Sequence, residues 1–318
     1  MAIHMTALAG TAKRESDTPL PLGYAIGTLG WALSAGVYIA AKWISPEMPP
    51  WTLCFWRVFL ATLVLLPVVR PHFGAMRDAI ATRPLDLLIV GGLGLAICQG
   101  MMYVGLRHAD AITAGLIMAL MPIFTMVIAH FVLRERMTAP QVGGALFAFA
   151  GMLVIVAHGR IGSLAALDVN PAELWIVASA VAFGLYAVLL KRAKFETPRL
   201  PLLVLLLGAG SITALPFYLF EELTGQRSAL TADGLFALFY CAVPGGALMY
   251  FLFNWSVEAL GAARASMLLY LQTVFVAILA YWLLGEQLKP YHLAGAACIV
   301  AGILLASLVG RRKAEPAQ

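Results

Sequence analysis

Two pairs of polar side chains interrupt apolar segments and have the chemistry to bind a small molecule. Gln99 and Tyr103 are four residues apart, and so are Tyr250 and Asn254, which puts each pair on one face of a helix. Amide and hydroxyl groups hydrogen-bond neutral or zwitterionic molecules, and tyrosine rings add flat apolar surface. Such pairs either line an internal cavity or hold neighbouring helices together through hydrogen bonds.

Other polar side chains in apolar segments offer the same chemistry. They are Tyr38, Tyr186, Tyr270 and Gln272. Together with the two pairs they form the predicted substrate-binding set, which suits neutral or zwitterionic solutes.

The composition is that of a membrane protein. Hydrophobic residues make up 62% of the 318 residues, charged residues only 12%, and the mean hydropathy is +0.88. Soluble domains have roughly 45–50% apolar and about 25% charged residues. The net charge of +5 does not indicate nucleic-acid binding, because the basic residues lie at the ends of apolar segments.

The sequence carries no signature of a cofactor, metal or nucleotide site. Its four cysteines, Cys54, Cys98, Cys241 and Cys298, lack the spacing of metal ligands. The phosphate-binding motif Gly-x-x-x-x-Gly-Lys-Ser/Thr of ATP-driven pumps is absent from the sequence. We therefore expect neither a cofactor nor a metal.

Ten stretches are long and apolar enough to cross a hydrocarbon core of about 30 Å. In chain order they are 20–42, 50–69, 84–106, 111–133, 140–159, 172–190, 201–220, 234–257, 262–284 and 290–310. Segments 1–19 and 311–318 are expected to be polar tails. Four tryptophans near the ends of these stretches are expected at the interface or facing lipid: Trp31, Trp43, Trp51 and Trp282.

The distribution of Lys and Arg predicts the orientation. An even number of spans puts both termini on one side of the membrane. With the termini inside, fourteen basic residues fall on inner segments and five on outer ones. Because basic residues favour the cytoplasmic side, both termini are predicted to be cytoplasmic.

The chain contains an internal repeat. Residues 109–153 align without a gap on residues 260–304, and 12 of 45 positions are identical, including Glu135 with Glu286. Each unit holds five spans, an odd number, so the second unit enters the membrane from the opposite side. The predicted fold is therefore an all-α membrane protein of two inverted five-helix repeats, joined by a linker. The two repeats cover 20–159 and 172–310, the linker 160–171.

Inverted repeats are the architecture of many secondary transporters, which hold their substrate near the membrane midplane between the two halves. The repeat offset maps Gln99 onto Tyr250 and Tyr103 onto Asn254. Both polar pairs would therefore face one central cavity. This arrangement predicts transport by alternating access.

Three residues weaken predicted helices. Pro122 removes a backbone hydrogen bond from the fourth stretch, and Pro244 and Gly245 interrupt the eighth. Each site is either a hinge for alternating access or a static packing kink.

Arg57 lies about seven residues into the second stretch. A charge at that depth is either functional or reaches the outer interface along its flexible stem. The carboxylates, in contrast, fall at or near the ends of the stretches, which favours facilitated transport over proton antiport. No cluster of Lys and Arg lies deep in the spans, so amino acids or neutral organic solutes are favoured over sugar phosphates.

Two sequence corners and one tripeptide resemble a known family. Leu133-Arg134-Glu135-Arg136 and Leu284-Gly285-Glu286-Gln287 stand between the fourth and fifth stretches of each unit, and Phe55-Trp56-Arg57 lies in the second stretch. The chain resembles the EamA-type drug/metabolite transporters over about residues 20–310, and among them it is most similar to the YddG-type exporters of aromatic amino acids. The resemblance implies a ten-helix exporter of small metabolites in the bacterial inner membrane.

The sequence thus predicts a transporter that exports neutral amino acids, including aromatic ones, or related metabolites. A membrane-embedded enzyme would need a catalytic constellation at one depth, and the sequence offers none. Neutral drugs as substrates and a passive channel stay open as alternatives. Because the repeat completes the fold within one chain, we expect a monomer.

Overall fold

A computed structural model of the chain describes residues 20–160, 170–226, 228, 231–260, 265 and 268–308. The predicted tails and most of the predicted linker lie outside these residues. The regular secondary structure of the described part is entirely helical.

Ten helices follow one another in the described part of the chain, each within or close to one of the ten predicted stretches. They are α1 Leu20–Ile44, α2 Pro50–Leu65, α3 Pro84–Leu106, α4 Ala111–Val132, α5 Ala139–Val156, α6 Pro171–Ala193, α7 Arg199–Leu223, α8 Ala232–Leu260, α9 Leu269–Leu284 and α10 Pro290–Leu308. A short connecting helix, Arg70–Thr82, lies between α2 and α3.

Seven of these helices are long and apolar enough to span a membrane: α1 and α3 to α8. Helix α2 and the connecting helix are long and apolar enough only when they are taken together, and the angle between them is 88°. The remaining two apolar helices are shorter: α9, and α10 over Pro290–Ala306. The chain is therefore a helical membrane protein with several apolar spans.

Prolines set several helix boundaries. Pro50, Pro84 and Pro290 open their helices, where the missing N–H would lack an intrahelical partner anyway. Helix α2 ends at Leu65, four residues before the predicted end. Pro67 has no N–H to continue the helical hydrogen bonds, which accounts for the early end.

Helices α3 and α8 each contain a π-helical segment that is not expected from the sequence. The segments are Gly92–Ile97 and Val243–Leu248, and they are separated by the same offset of 151 residues that relates the two repeats. A π segment widens the helix by one residue per turn and often occurs at functional sites. In both helices it lies just before the predicted polar pair.

Helix α4 is interrupted in its middle, as Pro122 predicts. Its two parts are Ala111–Met118 and Met121–Val132, and Pro122 stands in the first turn of the second part. A proline is tolerated there because the first turn of a helix has unpaired N–H groups in any case. Whether this break acts as a hinge stays a prediction.

The helices pack in matched pairs. Contacts of α1 with α8 and α9 have counterparts in those of α6 with α3 and α4. Contacts of α2 with α8 have their counterpart in those of α7 with α3, and α2 also packs on α7. Helices α5 and α10 pack along each other at the edge of the bundle. The packing of the second half thus mirrors that of the first.

Repeat-related glycines bring α5 and α10 into close contact. A Cβ atom on Gly144 would lie 2.5 Å from the Gly302 carbonyl oxygen, and one on Gly302 would lie 2.5 Å from the Gly144 oxygen. Gly151 and Gly295 meet in the same reciprocal way, at 2.7 and 2.8 Å. No side chain fits at these positions, so the four glycines allow α5 and α10 to pack closely.

Candidate functional site

A central cavity of about 780 Å³ lies between the two halves of the chain. This volume is within the range of roughly 300–1,000 Å³ that is usual for small-molecule sites. Side chains from eight helices line it, α1 to α4 and α6 to α9.

The cavity extends to one end of the bundle. Glu135, Lys191 and Arg199 belong to its lining and lie after α4, near the end of α6 and at the start of α7. The Lys191 ammonium donates a hydrogen bond of 2.5 Å to Glu135, and both side chains are about half exposed. Charged residues therefore frame the mouth of the cavity.

The opposite end of the bundle is tied together by carboxylates that cap helix N-termini. Glu286 accepts hydrogen bonds from the N–H groups of Ala111 and Ile112, at 2.7 and 3.0 Å. Glu221 accepts from the N–H of Thr52 at 2.8 Å and from its hydroxyl at 3.0 Å. Helix N-termini carry partial positive charge, so a carboxylate is the favoured cap.

Burial raises the pKa of the Glu286 carboxyl, and its hydrogen bonds from the two N–H groups lower it in part. The raised pKa reflects the enclosed position of the carboxyl at this end of the bundle.

Six of the eight predicted binding residues line the cavity. They are Tyr38, Gln99, Tyr186, Tyr250, Asn254 and Gln272. Helices α1, α3, α6, α8 and α9 contribute them, so the two repeats both supply polar groups to the same space.

Tyr103 and Tyr270 are not among the lining residues, contrary to the sequence analysis. Tyr103 is 2% exposed, and its hydroxyl has no hydrogen-bond partner in the described part of the chain. It is enclosed by packed helices close to Arg57. Tyr270 is two residues from Gln272, which rotates it by about 200° on a helix and puts it on another face.

Two of the lining amides have hydrogen bonds that fix their orientation. Asn254 donates to the Tyr250 carbonyl oxygen at 2.8 Å, one turn earlier in α8. Gln272 donates to the Ser34 hydroxyl at 2.9 Å and so ties α9 to α1. In both side chains the amide nitrogen makes the bond, which leaves the carbonyl oxygen as an acceptor for a ligand.

Arg57 turns into the cavity and does not reach for the interface. It is 4% exposed and belongs to the cavity lining. Its Nε donates to the Cys241 carbonyl oxygen at 3.1 Å, and its Nη1 donates to Gln99 Oε1 at 2.9 Å. The guanidinium thus joins α2 to α3 and α8 at the centre of the site.

Aromatic rings form two walls of the cavity. Trp31 and Phe253 are edge to face with ring centroids 5.5 Å apart, and Phe183 and Tyr186 lie 5.5 Å apart on α6. The expectation that Trp31 faces lipid or the interface is wrong. Its indole nitrogen is buried without a partner among the residues that the structure describes.

The predicted hinge residues have different surroundings. Pro122 lines the cavity. Pro244 and Gly245 lie in the π segment of α8, and a Cβ atom on Gly245 would lie 2.2 Å from Val37 Cγ2. Gly245 therefore permits close packing of α8 on α1, and a role in motion stays a prediction for all three residues.

Several lining residues could not be predicted from the sequence because they are ordinary apolar side chains. Among them are Met102, Met118, Met121, Phe183 and Phe253. Flexible methionines and flat rings adapt to ligands of different shape. A repeat comparison cannot distinguish such residues from core, since their type is common in every span.

The sequence model of the EamA-like transporter family matches this chain twice, at residues 21–157 and 170–308. The chain belongs to the EamA-like transporter family. Each match covers five of the ten helices, so the family unit coincides with one repeat.

Curated relatives cover most of the chain. The uncharacterized transporter YyaM of Bacillus subtilis is 26% identical over 89% of this chain and 93% of its own length. A probable terminal-alkyne amino-acid exporter of Streptantibioticus cattleyicolor is 28% identical over 81% and 84%. An S-adenosylmethionine uptake transporter of Rickettsia bellii is 25% identical over 88% and 93%.

A solved crystal structure has a similar fold. It matches with a TM-score of 0.61 at 22% identity, over 92% of this chain and 99% of the other. The likeness concerns the fold, and it extends over both repeats. The family and these relatives make the chain a membrane transporter.

Proposed function

We propose that this chain is a secondary transporter that exports neutral amino acids, including aromatic ones, or related small metabolites by alternating access. The central cavity carries the proposal. It combines aromatic walls with a few fixed amide and hydroxyl groups from both halves of the chain, at a volume that suits a small metabolite.

The architecture that we propose is ten spans in two inverted repeats. The matched helix packing, the two family matches and the equivalent π segments of α3 and α8 support it. The excess of Lys and Arg on the inner segments supports cytoplasmic termini in a bacterial inner membrane. A single chain forms the cavity, which supports a monomer.

With this orientation the described conformation is open to the cytoplasm. The mouth residues Glu135, Lys191 and Arg199 lie on the predicted inner side, and the Glu286 and Glu221 caps lie on the outer side. Export requires that the cavity load from the cytoplasm. An inward-open conformation is the loading state of such a cycle.

The names of two relatives are consistent with amino-acid substrates. The terminal-alkyne amino acid and S-adenosylmethionine both carry an α-amino and an α-carboxyl group. One relative is named for export and the other for uptake, so both directions of transport occur among the names of the relatives.

The test is uptake of radiolabelled amino acids into proteoliposomes that hold the purified chain, with and without an imposed pH gradient. We expect saturable uptake that does not need the gradient. Uptake only with the gradient would contradict facilitated transport. Uptake of neutral drugs but of no amino acid would show that the protein is a carrier for another substrate class, and it would contradict amino-acid transport.

Two functions from other classes give different results in the same vesicles. A passive channel would give uptake that does not saturate with concentration. A membrane-embedded enzyme would convert the labelled compound, which chromatography of the vesicle contents would detect.

A further inference from the structure

We infer that Arg57 binds the carboxylate of the substrate, so that the transported molecules are carboxylates and not merely neutral polar solutes. This inference rests on the proposed transport function, and it adds the group on the substrate that is recognised and the residue that recognises it.

The Arg57 guanidinium has more N–H donors than its hydrogen bonds within the protein use. Arginine carries five N–H donors in a planar fork. Nε and Nη1 each make one hydrogen bond, to Cys241 and Gln99, and the Tyr250 hydroxyl is a further neighbour. Even with one N–H donated to Tyr250, two remain. A carboxylate is the ligand whose two oxygens match this geometry.

The positive charge of Arg57 has no protein counter-ion within the described residues. None of their ion pairs includes it, and its hydrogen-bond partners are a carbonyl, an amide and a hydroxyl, all neutral. A buried charge is costly unless it is paired. A substrate carboxylate that binds Arg57 would supply the missing negative charge next to the buried guanidinium.

The charge distribution along the cavity favours anions over cations. Among the described residues, Arg57, Lys191 and Arg199 line it together with a single carboxylate, Glu135, which gives this lining a formal charge of +2. Glu135 is already paired with Lys191. A positive, partly enclosed channel concentrates anionic solutes and repels cationic ones. Amines without a carboxylate should therefore be poor substrates.

The remaining groups can accept a protonated amine. Asn254 and Gln272 use their amide nitrogens within the protein, and no described residue donates to their carbonyl oxygens, so these oxygens can accept from a ligand. An α-amino acid could thus place its carboxylate on Arg57 and its ammonium near these oxygens, with its side chain along the aromatic walls. The amine contact is optional in this arrangement, whereas the carboxylate contact is required.

Arg57 could instead serve only to hold α2, α3 and α8 together. A purely structural arginine would change stability without changing the preference between a carboxylate and its amide. The preference ratio therefore separates the two roles.

The experiment measures binding of four probes to the purified protein by ligand-induced thermal stabilisation and by competition. The probes are L-phenylalanine, L-phenylalaninamide, 3-phenylpropionate and 3-phenylpropionamide. A hydrogen bond to a charged group contributes about 1.5–3 kcal/mol, so wild type should prefer each acid over its amide by roughly 10- to 150-fold. In Arg57→Gln the ratio should fall to about twofold or less.

Gln99→Glu is the second variant, and it keeps Arg57 in place. It puts a carboxylate where Gln99 Oε1 now accepts from Arg57 at 2.9 Å. This internal counter-ion should stabilise the fold and abolish the preference for acids. Lys289→Gln is the charge control, because it removes an exposed cation that does not line the cavity. It should leave the ratio unchanged.

The outcomes separate the inference from the proposed function. Equal binding of acids and amides by wild type, or an unchanged ratio in both Arg57→Gln and Gln99→Glu, would overturn the inference even if amino acids are transported. Acid-specific stabilisation that depends on Arg57 would support it even if amino-acid transport fails. If no acid binds, the inference is wrong whatever else the protein transports.

Discussion

Glu286 Oε1 accepts a hydrogen bond from the backbone nitrogen of Ala111 at 2.7 Å, so a carboxylate from the α9–α10 connection caps the N-terminus of α4. Its repeat partner, Glu135, is used differently. Glu135 pairs with Lys191 at the open mouth of the cavity. Equivalent carboxylates thus close one end of the bundle and frame the opening at the other. The protein is therefore open at the end where Glu135 pairs with Lys191 and closed at the end where Glu286 caps α4.

Glu286→Gln should loosen the closed end of the bundle. A charge-assisted hydrogen bond is about twice as strong as a neutral one, and glutamine can replace only part of the cap. A local loss of roughly 1–2 kcal/mol would make backbone amide exchange at the start of α4 about 5- to 30-fold faster. Hydrogen exchange with mass spectrometry measures this rate for peptides that contain Ala111 and Ile112.

Glu135→Gln is the matched control for that measurement. Its carboxylate forms an ion pair that is about half exposed, and such pairs contribute roughly 0–1 kcal/mol. Equal acceleration in both variants, or none in Glu286→Gln, would show that the cap does not hold this end closed.

Gly302→Ala should destabilise the packing of α5 on α10. The added Cβ would lie 2.5 Å from the Gly144 carbonyl oxygen, a backbone atom that cannot move aside alone. Overpacking of this kind costs about 1–3 kcal/mol. Thermal unfolding in detergent should report a clear decrease in the melting temperature.

Gly143→Ala provides the comparison. Its nearest neighbour would be 3.7 Å away, an ordinary contact, and alanine favours the helix by about 1 kcal/mol over glycine. This variant should be as stable as wild type or more stable. A Gly302→Ala protein that melts like Gly143→Ala would contradict the close contact of the two helices.

Trp31→Ala should weaken binding of aromatic solutes more than binding of aliphatic ones. Trp31 lines the cavity edge to face with Phe253. An aromatic contact adds about 0.5–1.5 kcal/mol beyond area burial, so the ratio of phenylalanine to leucine affinity should fall roughly 2- to 12-fold. Competition for uptake measures the ratio. Trp282→Ala changes a tryptophan that is 76% exposed and should leave the ratio as in wild type.

Tyr103→Phe should leave transport intact. The Tyr103 hydroxyl is buried without a partner among the described residues, and the ring does not line the cavity. Removing an unsatisfied hydroxyl should leave the free energy of unfolding unchanged or raise it by up to about 1 kcal/mol. The melting temperature in detergent reports this change. Loss of uptake in a variant that melts at the wild-type temperature would show that the Tyr103 hydroxyl takes part in substrate binding.

Much of the fold could be predicted because the lipid imposes simple rules. A span must be apolar over its whole length, and proline marks helix starts, so helices were found in each of the ten predicted stretches. The π segments could not be predicted, because Gly92 and Pro244 each weaken a helix without specifying how the backbone responds.

The site was partly predictable through the repeat. Gln99 and Tyr250 occupy equivalent positions and both line the cavity. Tyr270 was misplaced, although its spacing from Gln272 already excluded a shared face. Trp31 was misplaced because the rule for tryptophans near span ends was applied to it, although it stands in the middle of α1. The inward direction of Arg57 depends on the Cys241 carbonyl oxygen, a backbone contact that side-chain types do not reveal.

The most direct test is counterflow in proteoliposomes. Vesicles loaded with unlabelled phenylalanine should take up labelled phenylalanine faster than empty vesicles do, because a carrier returns more quickly when it is loaded. Asn254→Ala, which removes a lining amide, should abolish the acceleration, and Tyr270→Phe, outside the lining, should retain it. Labelled uptake that does not saturate and is equally fast in empty vesicles would contradict an alternating-access carrier with this cavity as its binding site.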